Sequence, residues 1–189
     1  LISVNPFNWR KLRSVGIPAA GMQVKIDAPN PGDDGEILTK GKNVFIGYYK
    51  NPEATEEAFT EDGWFRTGDI GHMDEDNFIY ITGRKKNLII ASNGKNVYPE
   101  ELEEYLLKNE KICEVVVIGR QSESGVTITA VVYPNYDIYA GKNNEDILAD
   151  IKADITALNK TLPVYKQIRE VEIRDTEFEK TTSKILFFQ

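Results

Sequence analysis

The residues best suited to chemistry fall between Gly63 and Asn87, in GWFRTGDIGHMDEDNFIYITGRKKN. In Thr67-Gly68-Asp69 a carboxylate follows a small residue and a glycine, types that permit a tight turn, so Asp69 can stand at the edge of a cleft. A carboxylate only accepts hydrogen bonds and has two oxygens to do so, which suits the paired hydroxyls of a sugar diol. Past a polar turn at Asp74-Glu75-Asp76-Asn77, the run Phe78-Ile79-Tyr80-Ile81 has the composition of a short strand. Gly83-Arg84-Lys85-Lys86-Asn87 follows, with three consecutive cations. Taken singly, the tripeptide is compatible with a plain turn and the cations with a solvated patch. Their order, and the short strand between them, gives them weight.

This ordered set resembles the adenylate-forming superfamily: acyl-CoA synthetases, luciferases and the adenylation domains of peptide synthetases. The resemblance implies that Asp69 holds the ribose hydroxyls of ATP and that Arg84 touches the same ribose. It implies that Lys86 is the hinge about which a small C-terminal domain rotates. The loop Ser92-Asn93-Gly94-Lys95-Asn96 resembles the family loop that approaches the phosphopantetheine of CoA, which marks Gly94 and Lys95; a simple strand-to-helix connection accounts for Lys95 equally well. Near the end, Glu179-Lys180-Thr181-Thr182-Ser183-Lys184-Ile185 is similar to the family's P-K-T-x-[ST]-G-K-I. The lysine of that motif stabilises charge in the first half-reaction, and Lys184 is the catalytic candidate.

The tail departs from the pattern. Glu replaces Pro, the Gly is absent, and Leu186-Phe187-Phe188-Gln189 stands where basic residues are expected. Aligned on Lys180-Thr181, Ile185 falls on the lysine position, and Ile cannot stabilise an anion. Aligned on Lys184-Ile185, the loop is one residue shorter and the cation is kept. A solvated lysine near a chain end is the plainer alternative.

As an activity, the resemblance implies two steps. A carboxylate and ATP give an acyl-adenylate and pyrophosphate; a thiol then displaces AMP. ITGRKKNLIIASNGKNVYPEELE resembles the long-chain fatty-acid group most. ATP, a fatty acid and CoA are the implied small molecules, with a Mg²⁺ site expected in a large N-terminal domain. That domain would carry a Gly-rich phosphate loop and a Tyr-Gly-x-Thr-Glu motif, neither of which occurs in this sequence. Leu1-Ile2-Ser3-Val4-Asn5 looks like the stretch that follows the second motif. The chain is therefore expected to be a C-terminal piece, inactive alone as a ligase, with the missing N-terminal domain as its partner. A cytoplasmic location, with peripheral contact at the inner face of the membrane, is the corresponding expectation. Two rival readings are an adenylation domain of a peptide-synthetase-like enzyme and a non-catalytic nucleotide- or partner-binding module.

Composition bounds the rest. The 189 residues carry 23 basic and 30 acidic side chains, a net charge of −7, and no basic block, which argues against nucleic acid as a partner. The single histidine, His72, excludes multi-histidine metal clusters, so no metal site is assigned. The single cysteine, Cys113, sits in an apolar stretch and is expected to be buried. No signal peptide or membrane-length apolar run appears.

The elements that must position these residues are legible in outline. Met22 to Ile26 alternates as a strand, and Gly35 to Gly41 reads as another. Asn51-Pro52-Glu53 is a helix start, with Asn as cap and Pro at the first helical position. Pro99 opens a helix with Leu102, Tyr105 and Leu106 on one face. Val115–Ile118 and Val126–Tyr133 flank a polar turn as an antiparallel pair. Ile147, Leu148, Ile151, Ile155 and Leu158 follow helical spacing, and Val171-Glu172-Ile173 reads as a last strand. The expected fold is α+β: residues 1–83 as the β-rich tail of the large AMP-binding domain, and 84–189 as a small mobile C-terminal α+β domain, its helices on one face of a sheet.

Overall fold

Short strands separated by Gly and Pro turns make the first half of the chain a meander. The computed structural model describes residues 1–122, 125–180 and 186–187. A small pair, β1 (Ser3–Val4) with β2 (Ile17–Pro18), precedes the strands β3 (Met22–Asp27) and β4 (Gly35–Gly41). The helix α1 (Pro52–Ala58) starts as its sequence dictates: the Asn51 side chain accepts from Ala54 N at 3.0 Å, and Pro52 needs no partner for an absent N–H. Strands β5 (Phe65–Met73) and β6 (Ile79–Arg84) complete a four-stranded antiparallel sheet in the order β3-β4-β5-β6. Its buried side chains include Met22, Ile37, Leu38, Ile70, Phe78 and Ile79, and Trp9 meets Phe78 edge-on at 5.0 Å between ring centroids. In the turn before β6, Asp74 Oδ1 accepts from the backbone N–H groups of Asp76 and Phe78. That capping delays the strand to Ile79, one residue later than its composition suggests.

The second half has the two periodicities of an α+β layer. A hairpin of β7 (Ile89–Ile90) and β8 (Asn96–Val97) leads into α2 (Pro99–Leu106). Strands β9 (Ile112–Ser122) and β10 (Gly125–Pro134) form the long antiparallel pair, followed by α3 (Asn144–Asn159) and β11 (Glu170–Ile173). Because β11 follows a helical crossover, it adds to β10 in parallel, giving the order β11-β10-β9. Val115 and Val117 of β9 lie opposite Val132 and Ala130 of β10. They share one buried cluster with Leu102 and Leu106 of α2 and Ile147, Ile151 and Ile155 of α3. Both helices thus cover the same face of the sheet. Fully burying one such side chain contributes about 1.5–3 kcal/mol.

Two details correct the sequence reading, and a third concerns the division of the chain. The β9–β10 register passes from Glu114↔Tyr133 to Ile112↔Pro134, so Cys113 is the extra residue of a β-bulge and is exposed rather than buried. β11 is not the last strand: β12 (Glu179–Lys180) pairs antiparallel with β13 (Leu186–Phe187). The chain divides into Leu1–Lys86 and Asn87–Gln189, within the Gly83-Arg84-Lys85-Lys86-Asn87 stretch that ends the motif. Gly83 and Arg84, at the end of β6, still pair with Ile70 and Asp69 of β5 and so stay with the first unit.

Candidate functional site

Strand β5 is broken where its chemistry lies. Its pairing with β4 passes from Leu38↔Arg66 to Glu36↔Ile70, so Thr67, Gly68 and Asp69 together face the single residue Ile37. This is a bulge inside a strand, not the tight turn its composition suggests. Gly68 takes φ +73°, a left-handed conformation that costs a side-chain-bearing residue about 1–2 kcal/mol. Thr67 Oγ1 fastens the bulge, donating to Ile37 O at 2.7 Å and accepting from Asp69 N at 3.1 Å. The extra residues re-aim Asp69 so that it stands directly across from Arg84 on β6.

The two side chains meet there, with Arg84 Nε 2.8 Å from Asp69 Oδ1. The Asp69 side chain is 23% exposed and that of Arg84 60%, so the carboxylate is recessed and the guanidinium lies open. Burial pushes the Asp69 carboxyl above its ordinary range, and the charge of Arg84 only partly opposes this. Oδ2 takes no protein donor among the described residues and is not sealed from solvent. The arrangement offers an open acceptor beside an open cation, which is what a diol on an anionic ligand requires.

A second carboxylate sits next to this pair. Glu36, 6% exposed, gives one oxygen, Oε2, to two cations: Arg66 Nη1 at 3.1 Å and Lys85 Nζ at 2.7 Å. Sequence reasoning left all three residues without a role. The available signal was an acid between Gly35 and Ile37 in a strand whose other central residues are buried.

The other expected residues lie further along. Lys86 is exposed, within a short 3₁₀ turn spanning Lys85–Asn87. Gly94, at φ +76°, reverses the chain between β7 and β8, closed by Gly94 N→Ala91 O at 2.8 Å and Ala91 N→Lys95 O at 2.9 Å. Lys95 Nζ stands 4.7 Å from the centroid of the Tyr165 ring. Beside it is a groove of about 300 Å³ whose lining includes Ser92, Asn93, Tyr165, Gln167 and Arg169. Lys184 lies outside the described residues. Among the described residues no group of His, Cys, Asp and Glu side chains could hold a metal ion.

The model of the AMP-binding enzyme C-terminal domain matches residues 86–185, more than half of the chain. The chain belongs to the AMP-binding, adenylate-forming enzymes. Among family members, it is 34% identical to the long-chain-fatty-acid–CoA ligase FadD15 of Mycobacterium tuberculosis, over 97% of this chain and 32% of that protein. It is 44% identical to the sulfoacetate–CoA ligase of Cupriavidus necator over 58% of this chain and 22% of that protein. The crystal structure of ATP-bound MatB from Rhodopseudomonas palustris superimposes with a TM-score of 0.80 at 32% identity, covering 96% of this chain and 36% of that one. The chain thus spans about a third of the length of the adenylate-forming relatives that it matches along nearly all of its own sequence.

Proposed function

We propose that this chain is the C-terminal part of an ATP-dependent acyl-CoA synthetase that activates a fatty acid, of the long-chain class, as an acyl-adenylate and passes it to CoA. The observation that carries the reading is the cross-strand pair Asp69–Arg84, an open carboxylate oxygen beside an open guanidinium. In this reading Asp69 Oδ2 accepts from the ribose hydroxyls of ATP and Arg84 keeps the sugar in register. The kinship with CoA ligases supports the reaction class. The long-chain class rests on the names of relatives that match nearly the whole chain, FadD15 among them.

In the first step the acid's carboxylate oxygen bonds to the α-phosphorus and pyrophosphate leaves. Ribose contacts do not enter that bond change; they fix where the α-phosphate stands, a contribution of position. Lys184 is proposed to stabilise the charge that develops there. In the second step the thiolate sulfur of CoA bonds to the acyl carbon and AMP leaves. Gly94 and Lys95, with the groove beside Tyr165 and Arg169, are proposed to meet CoA, and Lys86 to absorb the backbone rotation between the steps. Mg²⁺ would be held by the N-terminal part of the longer protein.

Pyrophosphate exchange by the full-length protein, across acids of two to eighteen carbons and the amino acids, tests this reading. Exchange driven by long acids, followed by CoA-dependent AMP release, is expected. Exchange driven by an amino acid would replace the substrate class, and none with any acid would leave a binding module.

A further inference from the structure

We infer that Glu36 is a positioning residue for the ribose pair, a role that rests on the reading of Asp69 and Arg84 above. On the β4 side the bulge that aims Asp69 interrupts the ladder, since three residues of β5 face one of β4, while on the β6 side Asp69 still pairs with Arg84. With the β4–β5 ladder interrupted there, side-chain contacts must carry the registration of the pair against β4. Glu36 is placed to do so. Its backbone pairs with Ile70, the residue after Asp69. Its carboxylate holds Arg66, which begins the bulge on β5, and Lys85, which directly follows Arg84 on β6.

One buried oxygen thus grips the strand that carries Asp69 and the strand end that carries Arg84. A buried carboxylate is costly unless paired, and two cations converging on the same oxygen offset that cost. The same contact ties Lys85 to β4 within the first unit. Among the described residues no ion pair joins Glu36 to Asp69 or Arg84, and it acts through Arg66 and Lys85.

The test compares kcat/KM for ATP and for 2′,3′-dideoxy-ATP in the full-length protein. A merely structural defect lowers both values together, whereas a displaced ribose pair lowers only the preference for ATP. The wild type is expected to prefer ATP by about tenfold or more. Glu36→Gln is expected to reduce that preference to about threefold or less, with activity on the dideoxynucleotide within about twofold of wild type. Lys85→Met, which leaves Arg66 on Glu36 and removes no buried group, is expected to give an intermediate preference and serves if Glu36→Gln does not fold. A full preference in Glu36→Gln, or in Lys85→Met where the first variant is unfolded, overturns the inference while leaving the ribose assignment standing. A wild type that treats both nucleotides alike overturns the ribose assignment and the inference with it.

Discussion

Two carboxylates set against sheets, the buried Glu36 in the first unit and the partly buried Glu103 in the second, are treated in opposite ways. Glu36 meets two cations on one oxygen. Among the described residues the Glu103 carboxylate receives a backbone donor alone, Val117 N at 2.8 Å, and has another acid, Glu100, as a charged neighbour. Burial above all, and then Glu100, push the Glu103 carboxyl up to about 7. Nor is Glu100 well served, since Oε1 accepts from Asn87 at 2.7 Å but the buried Oε2 has no partner. Charge is held and compensated where two strands must keep side chains in register. Where a helix need only cover a sheet, the carboxylate is left to find its own protonation state.

The contrast can be broken from either side. Lys86→Pro bears on the boundary between the units and has the largest expected effect. Proline fixes φ and removes a donor, so thioester formation should fall at least about tenfold more than adenylate formation, measured as separate half-reactions. Equal loss of both would argue for misfolding over a hinge.

Next is Glu36→Gln, which leaves Arg66 and Lys85 facing a neutral amide. It should lower the unfolding free energy by about 1–3 kcal/mol in urea melts at pH 7. An unchanged midpoint would mean that the two ion pairs do no more than exposed ones.

Glu103→Gln should act with the opposite sign. The folded form keeps a proton on Glu103 that the unfolded chain loses above its ordinary value of 4.5. Wild-type stability therefore falls as pH rises from about 4.5 to about 7, and the loss is complete above that. The amide still accepts from Val117 but cannot ionise, so the variant should match wild type near pH 4.5. It should exceed wild type by about 1–3 kcal/mol at pH 8. A variant no more stable than wild type at pH 8 would show that Glu103 ionises without penalty. The smallest effect is Gly68→Ala, which should cost about 1–2 kcal/mol through its left-handed backbone alone, since a Cβ there meets nothing within 4 Å.

What the sequence could reveal follows the range of the interactions. The Asn51-Pro52 start, the helical spacing of Ile147, Ile151 and Ile155, and the β9–β10 pair are local patterns, and they appear where their residues place them. Asp69 and Arg84 were legible as a motif, but their direct pairing depends on a bulge that no local rule announces. A bulge likewise turned Cys113 outward against its apolar surroundings. Glu36 was beyond reach for another reason: its partners lie 30 and 49 residues away in the chain.

The central claim is that Asp69 holds the ribose of ATP, and Asp69→Ala in the full-length protein tests it most directly. A hydrogen bond to a charged acceptor contributes about 1.5–3 kcal/mol, so the KM for ATP should rise by about ten- to a hundredfold. The KM values for the acid and for CoA should stay within about twofold. An ATP KM and turnover equal to those of the wild type would contradict the assignment.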